Sequence, residues 1–383
     1  MYRLVFIILL TGCFYSARCQ GQQSPVSAFE ASINEIMDEY EAIGVSVVLV
    51  KENKISFTKS FGYKPNYEMP AARDSIRKDD ISWIASISKT FVATAIMQLV
   101  ESGLVSLDDD VNKYLNFKVT NPYYPDTPIT IRMLLCHISS LNGKMLINDF
   151  DQLSADLNKD YRKYYLEKKP GSIYSYCNTG YLVLSAIIEK AAGVRFDEFI
   201  DQHIMKPLNL YGGFDVTRLD SSRFIKTRYY NKKTKKFINV KSTYIYDKNK
   251  IDHYVLGKST PCLYAPGGMK ISVTDLAKFM LMHMNNGLYN GARLISDESE
   301  KEMRKVQNGK SYGLALAHYN NILQGKELIG MTGGSRGIHS VMFFHPEEKY
   351  GFIVVCYGCT STSTNGIQMN REIVRGMYNH FIK

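Results

Sequence analysis

Apolar positions along this chain follow two different periods, and the changes between them predict the order of its elements. Apolar residues recur at helical spacing over residues 28–40, which indicates a surface helix. Two β-rich runs follow at 45–50 and 55–61, and the short polar segment between them favours a hairpin. Over residues 84–100 the helical period returns, and Gly103 just beyond predicts the end of a long helix.

Helical patterns dominate the middle of the chain, and β-rich patterns return near its end. Helices are predicted at 129–135, 181–192, 196–204, 275–284 and 367–381, and strands at 312–318, 339–345 and 351–355. Strands near both termini with helices between them predict an α/β (α+β) fold. It has an antiparallel sheet built from both termini and flanked by helices, with an inserted, mainly helical lobe.

The length of 383 residues is more than one hydrophobic core usually serves, which agrees with two lobes. We assign residues 24–82 and 265–383 to the sheet lobe and residues 83–264 to the mainly helical lobe.

The first 20 residues have the pattern of a secretory signal peptide. Arg3 precedes an apolar stretch at 4–15, which is too short to span a bilayer because about 20 apolar residues are needed. Residues 10–13, Leu-Thr-Gly-Cys, also resemble a bacterial lipobox with Cys13 as the lipidated residue, and a cut near residues 17–20 is the alternative. We therefore expect an exported protein, in the periplasm or anchored as a lipoprotein at the bacterial envelope.

Positive charge is concentrated in one segment of the chain. There are 47 Lys and Arg against 37 Asp and Glu, a formal net charge of +10. Residues 223–258 hold eleven of the basic residues, two acidic residues and several interleaved tyrosines. This basic, Tyr-rich insertion is either a solvated loop or a patch for an anionic surface or for steering substrates. Export argues against nucleic acid, so the expected partners are a small-molecule or peptide substrate and possible attachment to peptidoglycan or, by a lipid anchor, to the membrane.

The sequence Ser-x-x-Lys occurs three times, beginning at Ser56, Ser75 and Ser86, and only the last opens a predicted helix. On a helix this spacing puts Ser86 and Lys89 on one face, near the positive end of the helix dipole. A lysine in a dry site can lower the proton affinity of the serine, or accept its proton if its own pKa is depressed. The motif alone favours the simpler interpretation, a helix-start serine beside a solvated lysine.

A second candidate motif is Tyr176-Cys177-Asn178, which follows a Pro-Gly turn and precedes a predicted helix. Near Lys89 the phenol of Tyr176 would ionise and act as general base, and the amide of Asn178 would hold a substrate carbonyl. Tyr-x-Asn recurs elsewhere in the chain, so a buried turn is the alternative interpretation of this motif.

Several segments, in order and separation, resemble the serine β-lactamase and penicillin-binding protein superfamily. Residues 85–91 (Ala-Ser-Ile-Ser-Lys-Thr-Phe), with Leu-Asp-Asp-Asp at 107–110, resemble its nucleophile segment. Residues 129–137 are similar to its ITIRHLLTH stretch, and residues 266–279 to a stretch that runs from Gly-Gly to Asp-Leu-Ala-Lys-Phe. The resemblance extends over roughly residues 30–360 and is nearest to the class C-like branch, which includes esterases and D-amino-acid peptidases.

The resemblance implies a β-lactamase/transpeptidase-like fold and a reaction through an acyl-enzyme. It implies that Ser86 attacks the substrate, that Lys89 and Tyr176 handle the proton, and that Asn178 positions the substrate. It also implies an oxyanion hole formed by the backbone N–H groups of Ser86 and Gly334.

The third motif of the superfamily, Lys-Thr-Gly or His-Thr-Gly on a strand, falls here on Met331, Thr332 and Gly333, with Gly334 after it. Methionine cannot donate a charge-assisted hydrogen bond, so this chain lacks the usual cation for a substrate carboxylate. Arg336 is the candidate replacement, and a surface arginine is the alternative interpretation.

A rival nucleophile is Ser335, because residues 333–337 spell the G-x-S-x-G elbow. The elbow requires a helix immediately after it, whereas residues 338–344 are β-rich, so we favour Ser86. We interpret His137 as a satisfied histidine at a helix end. The sequence contains no H-E-x-x-H, Walker loop or dinucleotide fingerprint, so we expect neither a metal nor another cofactor.

Together these patterns predict an exported serine hydrolase that acts on amide or ester bonds through a Ser86 acyl-enzyme. The expected substrates are β-lactams, D-amino-acid peptides such as peptidoglycan stems, or small esters. A non-catalytic or slowly deacylating penicillin-binding sensor on the same scaffold is the alternative, and it is motivated by Met331.

Overall fold

The computed structural model describes residues 24–69, 74–240, 244, 251–307, 311–360 and 363–383, with side chains from residue 367 onward in the last range. The predicted signal peptide at 1–20 lies outside the described residues, as does part of the basic insertion at 223–258. Within these ranges, no helix combines the length and the hydrophobicity needed to cross a membrane.

Strands lie near both ends of the described chain, with most helices between them. The helices are α1 (Pro25–Glu39), α2 (Ser88–Glu101), α3 (Ile131–Leu135), α4 (Asn178–Ala192), α5 (Phe196–Ile200), α6 (Val273–Met284), α7 (Asp297–Arg304) and α8 (Ser363–Phe381). The strands are β1 (Gly44–Lys51), β2 (Lys54–Lys64), β3 (Asp74–Ser75), β4 (Ser82–Trp83), β5 (Gly212–Gly213), β6 (Arg228–Asn231), β7 (Lys236–Asn239), β8 (Lys270–Ile271), β9 (Leu288–Tyr289), β10 (Ala292–Arg293), β11 (Ala317–Leu323), β12 (Lys326–Ser335), β13 (Ile338–His345) and β14 (Tyr350–Cys356).

A seven-stranded antiparallel sheet joins the two ends of the chain, in the strand order β11-β12-β13-β14-β1-β2-β3. The junction is the pairing of β1 with β14, in which Val47 lies opposite Val354. The predicted hairpin is the pair β1 and β2. The predicted fold class, an antiparallel sheet from both termini flanked by helices, is therefore confirmed. The lobe boundaries at 82/83 and 264/265 stay a prediction.

Helices cover both faces of the sheet, because successive side chains of a strand point to opposite faces. Val47 packs in a core with Phe29 of α1 and Ile373 of α8. Val48, the next residue, belongs to the core on the other face, which includes Phe91 of α2. Burial of one such apolar side chain contributes about 1.5–3 kcal/mol to folding. The two cores on its faces therefore hold the sheet firmly as the central layer.

The long predicted helix is α2, and nearly all of its residues are buried. Phe91 of α2 stacks on Phe279 of α6, with ring centroids 3.8 Å apart. Gly103 lies just past the end of the helix with φ +72°, a conformation that glycine adopts without the clash of a Cβ. Because α2 runs through the core, a polar side chain in its first turn is carried into a dry environment.

Several elements differ from the predicted pattern, including strand β12, which was not among the predicted strands, and two of the differences have a clear local cause. The strand expected at 312–318 begins only at Ala317, because the chain first turns through Gly313, whose N–H donates to Leu316 O (2.7 Å). Helix α7 was not predicted, because its sequence is mostly charged and Met303 is its only buried apolar residue among those described. It begins at a Ser296 cap followed by an acidic first turn, which is the local signal for such a helix.

Candidate active site

The turn that carries Ser86 has an unusual backbone conformation. A 3-10 turn, Ala85–Ile87, leads directly into α2, and Ala85 has φ +47°, which is uncommon for a residue with a Cβ. The Ser88 hydroxyl donates to Ala85 O (2.6 Å) and accepts from the Met269 N–H (3.1 Å). These buried bonds hold the turn in place, and Ser86 remains partly exposed at its tip.

Strand β12 passes very close to the same turn. A Cβ on Gly333 would lie 2.4 Å from Ile84 O and 2.2 Å from Ser340 Oγ, so a residue with a side chain does not fit there. The Ser340 hydroxyl itself donates to Ile84 O (2.8 Å). Glycine at position 333 is therefore needed to bring the edge of β12 against the serine turn.

Lys89 lies in the first turn of α2 and is fully buried. Its Nζ is 3.2 Å from Ser86 Oγ and 2.8 Å from Pro266 O. Burial lowers the pKa of Lys89 well below its ordinary value, and the nearby Cys177 opposes this shift. The amine is therefore poised to be neutral and to accept a proton from the serine.

Tyr176 contacts the serine from the other side. Its hydroxyl donates to Ser86 Oγ at 2.7 Å, and Lys89 Nζ lies 4.9 Å from its ring centroid. Burial raises the pKa of Tyr176 well above its ordinary value, although the hydrogen bond to Ser86 lowers it somewhat. A raised pKa favours the protonated phenol even though the side chain is 37% exposed on the cleft, and ionisation of Tyr176 by Lys89 stays a prediction.

His137 lies behind Tyr176, with the two ring centroids 4.3 Å apart. Its Nδ1 accepts from the Cys177 N–H (3.1 Å), whereas its buried Nε2 has no hydrogen-bond partner among the described residues. Burial lowers the pKa of His137 well below its ordinary value, and the proximity of Lys89 lowers it further. This histidine follows α3 as predicted, but only one of its two ring nitrogens has a hydrogen-bond partner among the described residues. Its ring packs behind Tyr176.

These groups open into a cleft of about 670 Å³ between the serine turn, β11, β12 and α8. Its lining is aromatic and polar and contains no acidic side chain among the described residues. The lining residues are Ser86, Tyr174, Tyr176, Ser311, Tyr312, Ala317, His318, Tyr319, Asn320, Asn321, Met331, Thr332, Gly334, Ile367 and Arg371.

The structure brings together five of the residues that the sequence pointed to. Ser86, Tyr176, Thr332 and Gly334 line the cleft, and Lys89 lies directly beneath the serine. Gly333 is buried beside the turn and serves the packing of β12.

Three other candidates lie elsewhere. Asn178 is the first residue of α4 and is not among the residues that line the cleft. Arg336 is exposed beyond the end of β12, with its guanidinium 5.5 Å from the ring centroid of Tyr229, so it is not the replacement cation in the cleft. Ser335 is followed by strand β13 rather than by a helix, so the G-x-S-x-G elbow is absent here.

Sequence reasoning missed Arg371, which enters the cleft from α8. The available signal was its position four residues after Ile367, which places both residues on one face of a helix. In the described part of the chain, no group of three His, Cys, Asp or Glu side chains could hold a metal ion.

Comparisons with known proteins agree with this geometry. Residues 29–365 match the profile of the family described as Beta-lactamase. The chain is similar to penicillin-binding protein 4* of Bacillus subtilis (strain 168), with 26% identity over 331 residues, 82% of this chain and 68% of that protein. It spans less than two thirds of the length of other relatives, 64% and 59% in two cases.

Solved structures show the same fold. The octameric penicillin-binding protein homologue from Pyrococcus abyssi has a TM-score of 0.73 and 27% identity, covering 92% of this chain and 77% of that chain. The D-amino acid amidase from Ochrobactrum anthropi SV3, complexed with L-phenylalanine, has a TM-score of 0.68 and 20% identity, covering 92% of this chain and 99% of that chain. Because the family profile covers most of the chain and includes Ser86, Lys89 and Tyr176, the chain belongs to the Beta-lactamase family, a family of serine hydrolases.

Proposed function

We propose that this protein is an exported serine hydrolase that cleaves amide or ester bonds through an acyl-enzyme on Ser86. One observation carries the proposal: Ser86 Oγ lies within hydrogen-bonding distance of both Lys89 Nζ (3.2 Å) and Tyr176 OH (2.7 Å). A serine is a weak nucleophile until a base removes its proton, and a desolvated lysine is such a base.

In the acylation step, the neutral amine of Lys89 accepts the Ser86 proton as Oγ bonds to the substrate carbonyl carbon. As the bond to the leaving group breaks, the phenol of Tyr176 gives its proton to the leaving nitrogen or oxygen. The step leaves an ammonium at Lys89 and a phenolate at Tyr176, so the net charge is unchanged. The two groups are in contact, which stabilises the pair of charges.

In the deacylation step, the Tyr176 phenolate takes a proton from water as the water oxygen attacks the acyl carbon. Ser86 Oγ then leaves and recovers its proton from Lys89, so all three groups return to their starting forms. Each such proton transfer by a positioned group typically contributes about 10²–10⁴-fold in rate. The backbone N–H groups of Ser86 and Gly334 are the proposed donors to the oxyanion, supported by the position of both residues on the cleft.

The proposed substrates are β-lactams, D-amino-acid peptides and small esters. The names of the similar proteins, a penicillin-binding protein and a D-amino acid amidase, support this range. The role of Asn178 in positioning the substrate stays a prediction. Export to the bacterial envelope is supported by the signal pattern of residues 1–20, and cell fractionation of the full chain tests it.

A hydrolysis panel tests the proposed activity. Nitrocefin, a p-nitrophenyl ester and a peptide ending in D-Ala-D-Ala are incubated with the wild-type protein and with Ser86→Ala. We expect turnover of at least one substrate by the wild type and none by the variant. Activity that persists in the variant would contradict the assignment of the nucleophile.

A second candidate function is a slowly deacylating penicillin-binding sensor. It is favoured by Met331, which lines the cleft and contacts the Tyr312 hydroxyl through sulfur (3.5 Å), at the position where the resemblance to the superfamily implies a cation. Fluorescent penicillin distinguishes the two functions. A label that is released within one assay supports the hydrolase, whereas a persistent label, released faster by Met331→Lys, supports the sensor.

A further inference from the structure

A short hairpin, formed by β6 and β7, carries a cluster of lysines at its tip. Residues 223–240, which include the hairpin, contain seven Lys or Arg and no Asp or Glu. The tip lysines are exposed, and none of them forms an ion pair with another described residue. They are Lys232, Lys233, Lys235 and Lys236. Like charges held at one tip repel each other, and an anionic partner relieves this repulsion.

The hairpin holds these lysines in an ordered turn. Its strands pair in antiparallel register, with Tyr229 opposite Ile238. At the tip, the Asn231 side chain accepts hydrogen bonds from the backbone N–H groups of Lys233 (2.9 Å) and Thr234 (3.3 Å). The lysine side chains therefore project from a fixed backbone, which suits a docking surface better than a loose tail does.

The base of the hairpin packs on the main sheet close to the cleft. A Cβ on Gly337, in the turn between β12 and β13, would lie 2.7 Å from Arg228 O. A Cβ on Gly358, just beyond β14, would lie 2.5 Å from the same oxygen. Gly337 follows Gly334, which lines the cleft, by three residues. The hairpin is therefore fixed beside the rim of the cleft.

Arg336 extends the positive charge of the hairpin. It is exposed, and its guanidinium lies 5.5 Å from the ring centroid of Tyr229 in β6. Ile238 lies opposite Tyr229 and shares its face of the hairpin, because cross-strand partners point to the same side. The arginine that the sequence suggested for the cleft thus belongs to the same basic surface as the tip lysines.

Exposed apolar side chains accompany these charges. Ile238 is 36% exposed and Met69 is 64% exposed. The Met69 N–H donates to Asn66 Oδ1 (2.9 Å), and Asn66 O accepts from the Arg228 guanidinium (3.4 Å), so this loop is tied to the hairpin. Glu68 is the acidic residue of the loop, against five cations. Apolar side chains beside a basic cluster suit a lipid bilayer, whose acyl boundary receives the former and whose phosphates attract the latter.

We propose that the hairpin surface, formed by the four tip lysines, Arg336, Ile238 and Met69, docks on an anionic phospholipid bilayer. Each lysine near such a bilayer strengthens binding about fivefold, and the apolar side chains add a contribution that a soluble polyanion does not provide. Docking brings the bilayer to the side of the cleft where Gly334 lies. The inference goes beyond the proposed hydrolysis, because binding to lipid needs no turnover.

Vesicle sedimentation of the full chain tests the proposal. The vesicles contain phosphatidylglycerol and phosphatidylcholine in equal parts, or phosphatidylcholine alone. We expect tighter binding to the anionic vesicles. Raising the ionic strength from about 0.01 M to about 0.1 M shortens the Debye length from about 30 Å to about 10 Å, so this binding should weaken.

Two double variants locate the charges that bind. Lys232→Gln with Lys233→Gln should lower the affinity for anionic vesicles about 10- to 30-fold. Lys168→Gln with Lys169→Gln is the matched control, because it removes two adjacent exposed lysines that lie before α4. The control should change the affinity by less than a factor of about two.

Single substitutions separate docking from unfolding and a bilayer from a polymer. Lys235 has φ +51°, which glycine adopts readily, so Lys235→Gly should lower the affinity about fivefold without lowering the melting temperature. Met69→Ser should lower the affinity for vesicles about tenfold and leave binding to soluble polyphosphate unchanged. Leu157→Ser, at a side chain that is 62% exposed elsewhere, should change neither.

Equal binding to both kinds of vesicle, or equal losses in the hairpin and control variants, would overturn the proposal. Vesicle binding that falls with the lysine substitutions but not with Met69→Ser would also overturn it, because that result identifies a soluble polyanion as the partner. A chain that binds anionic vesicles through the hairpin surface but hydrolyses no substrate of the panel would contradict the hydrolase proposal alone.

Discussion

Strand β2 and the start of α2 carry the same Ser-x-x-Lys sequence in different surroundings. In β2, the Ser56 hydroxyl donates to Leu49 O (3.2 Å), and Lys59 is 41% exposed and pairs with Glu30 at 2.5 Å. Positions i and i+3 of a strand point to opposite faces, so this serine and lysine do not meet. At α2, Lys89 is fully buried and lies 3.2 Å from Ser86.

The difference between the two Ser-x-x-Lys motifs shows which features make a serine and a lysine a candidate catalytic pair. Helical spacing brings the hydroxyl and the amine together, and burial without a carboxylate partner makes the neutral amine favourable. In β2, Lys59 is exposed to solvent and pairs with the Glu30 carboxylate, and both stabilise its charged form. Reactivity therefore depends on the element that carries the motif and on its solvation.

The largest contrast is expected between the two serines. Ser86→Ala should lower kcat/KM by at least about 10⁴-fold, because no other group replaces the nucleophile. Ser56→Ala, the matched change in β2, should leave turnover within a factor of about two, since it only removes one local hydrogen bond. Steady-state kinetics with the best substrate of the panel give kcat/KM for both variants. An equal loss of kcat/KM in the two variants would contradict the distinction between the two serines.

The two lysines should differ nearly as much. Lys89→Met keeps the length of the side chain but removes the base, so we expect acylation to slow by about 10³-fold. Lys59→Met removes an exposed ion pair, which typically contributes less than about 1 kcal/mol to stability, and turnover should not change. Stopped-flow acylation with a chromogenic substrate gives the rates. A catalytic defect in Lys59→Met would show that the comparison is wrong.

The pH profile tests the protonation state of Lys89. Because burial lowers its pKa, the amine stays neutral at pH values well below those at which an exposed lysine becomes charged. Activity should be lost only as the pH falls through that depressed pKa, by about tenfold in kcat/KM for each pH unit below it. A rate that rises only near the ordinary lysine pKa of 10.5 would contradict the neutral-amine assignment.

The smallest expected effect concerns His137, which shares the dry environment of Lys89. Its lowered pKa means that below about pH 6.5 the unfolded chain binds a proton that the folded protein does not. The free energy of unfolding should then fall by up to about 1.4 kcal/mol for each pH unit below that value. The free energy of unfolding, measured by urea denaturation at several pH values, should depend less steeply on pH in His137→Gln than in the wild type between pH 7 and about pH 5. The same pH dependence in both proteins would exclude this titration.

The parts of the site that are local in sequence could be predicted. Ser86 and Lys89 are three residues apart where a turn leads into one helix, and Tyr176 follows a Pro-Gly turn, so their context was visible in the pattern. Strands near both termini also predicted a sheet that joins the two ends of the chain, although not its strand order. The side of the cleft formed by α8 was not predictable in this way, because Arg371 reaches it from a distant helix.

Arg336 shows why proximity in sequence misleads. It lies three residues beyond Gly333, but the chain turns after β12 and carries its guanidinium over Tyr229. The raised pKa of Tyr176 was also not visible in the sequence. Desolvation and the neighbouring phenols of Tyr174, Tyr264 and Tyr319 raise it, and a motif does not report these surroundings.

Intact-mass spectrometry after incubation with penicillin detects acylation of Ser86 directly. We expect a mass increase of one acyl group in the wild type, mapped by digestion to the peptide that contains Ser86, and no adduct in Ser86→Ala. An adduct on another residue, or none in the wild type with penicillin, a p-nitrophenyl ester or a D-Ala-D-Ala peptide, would contradict acylation at Ser86.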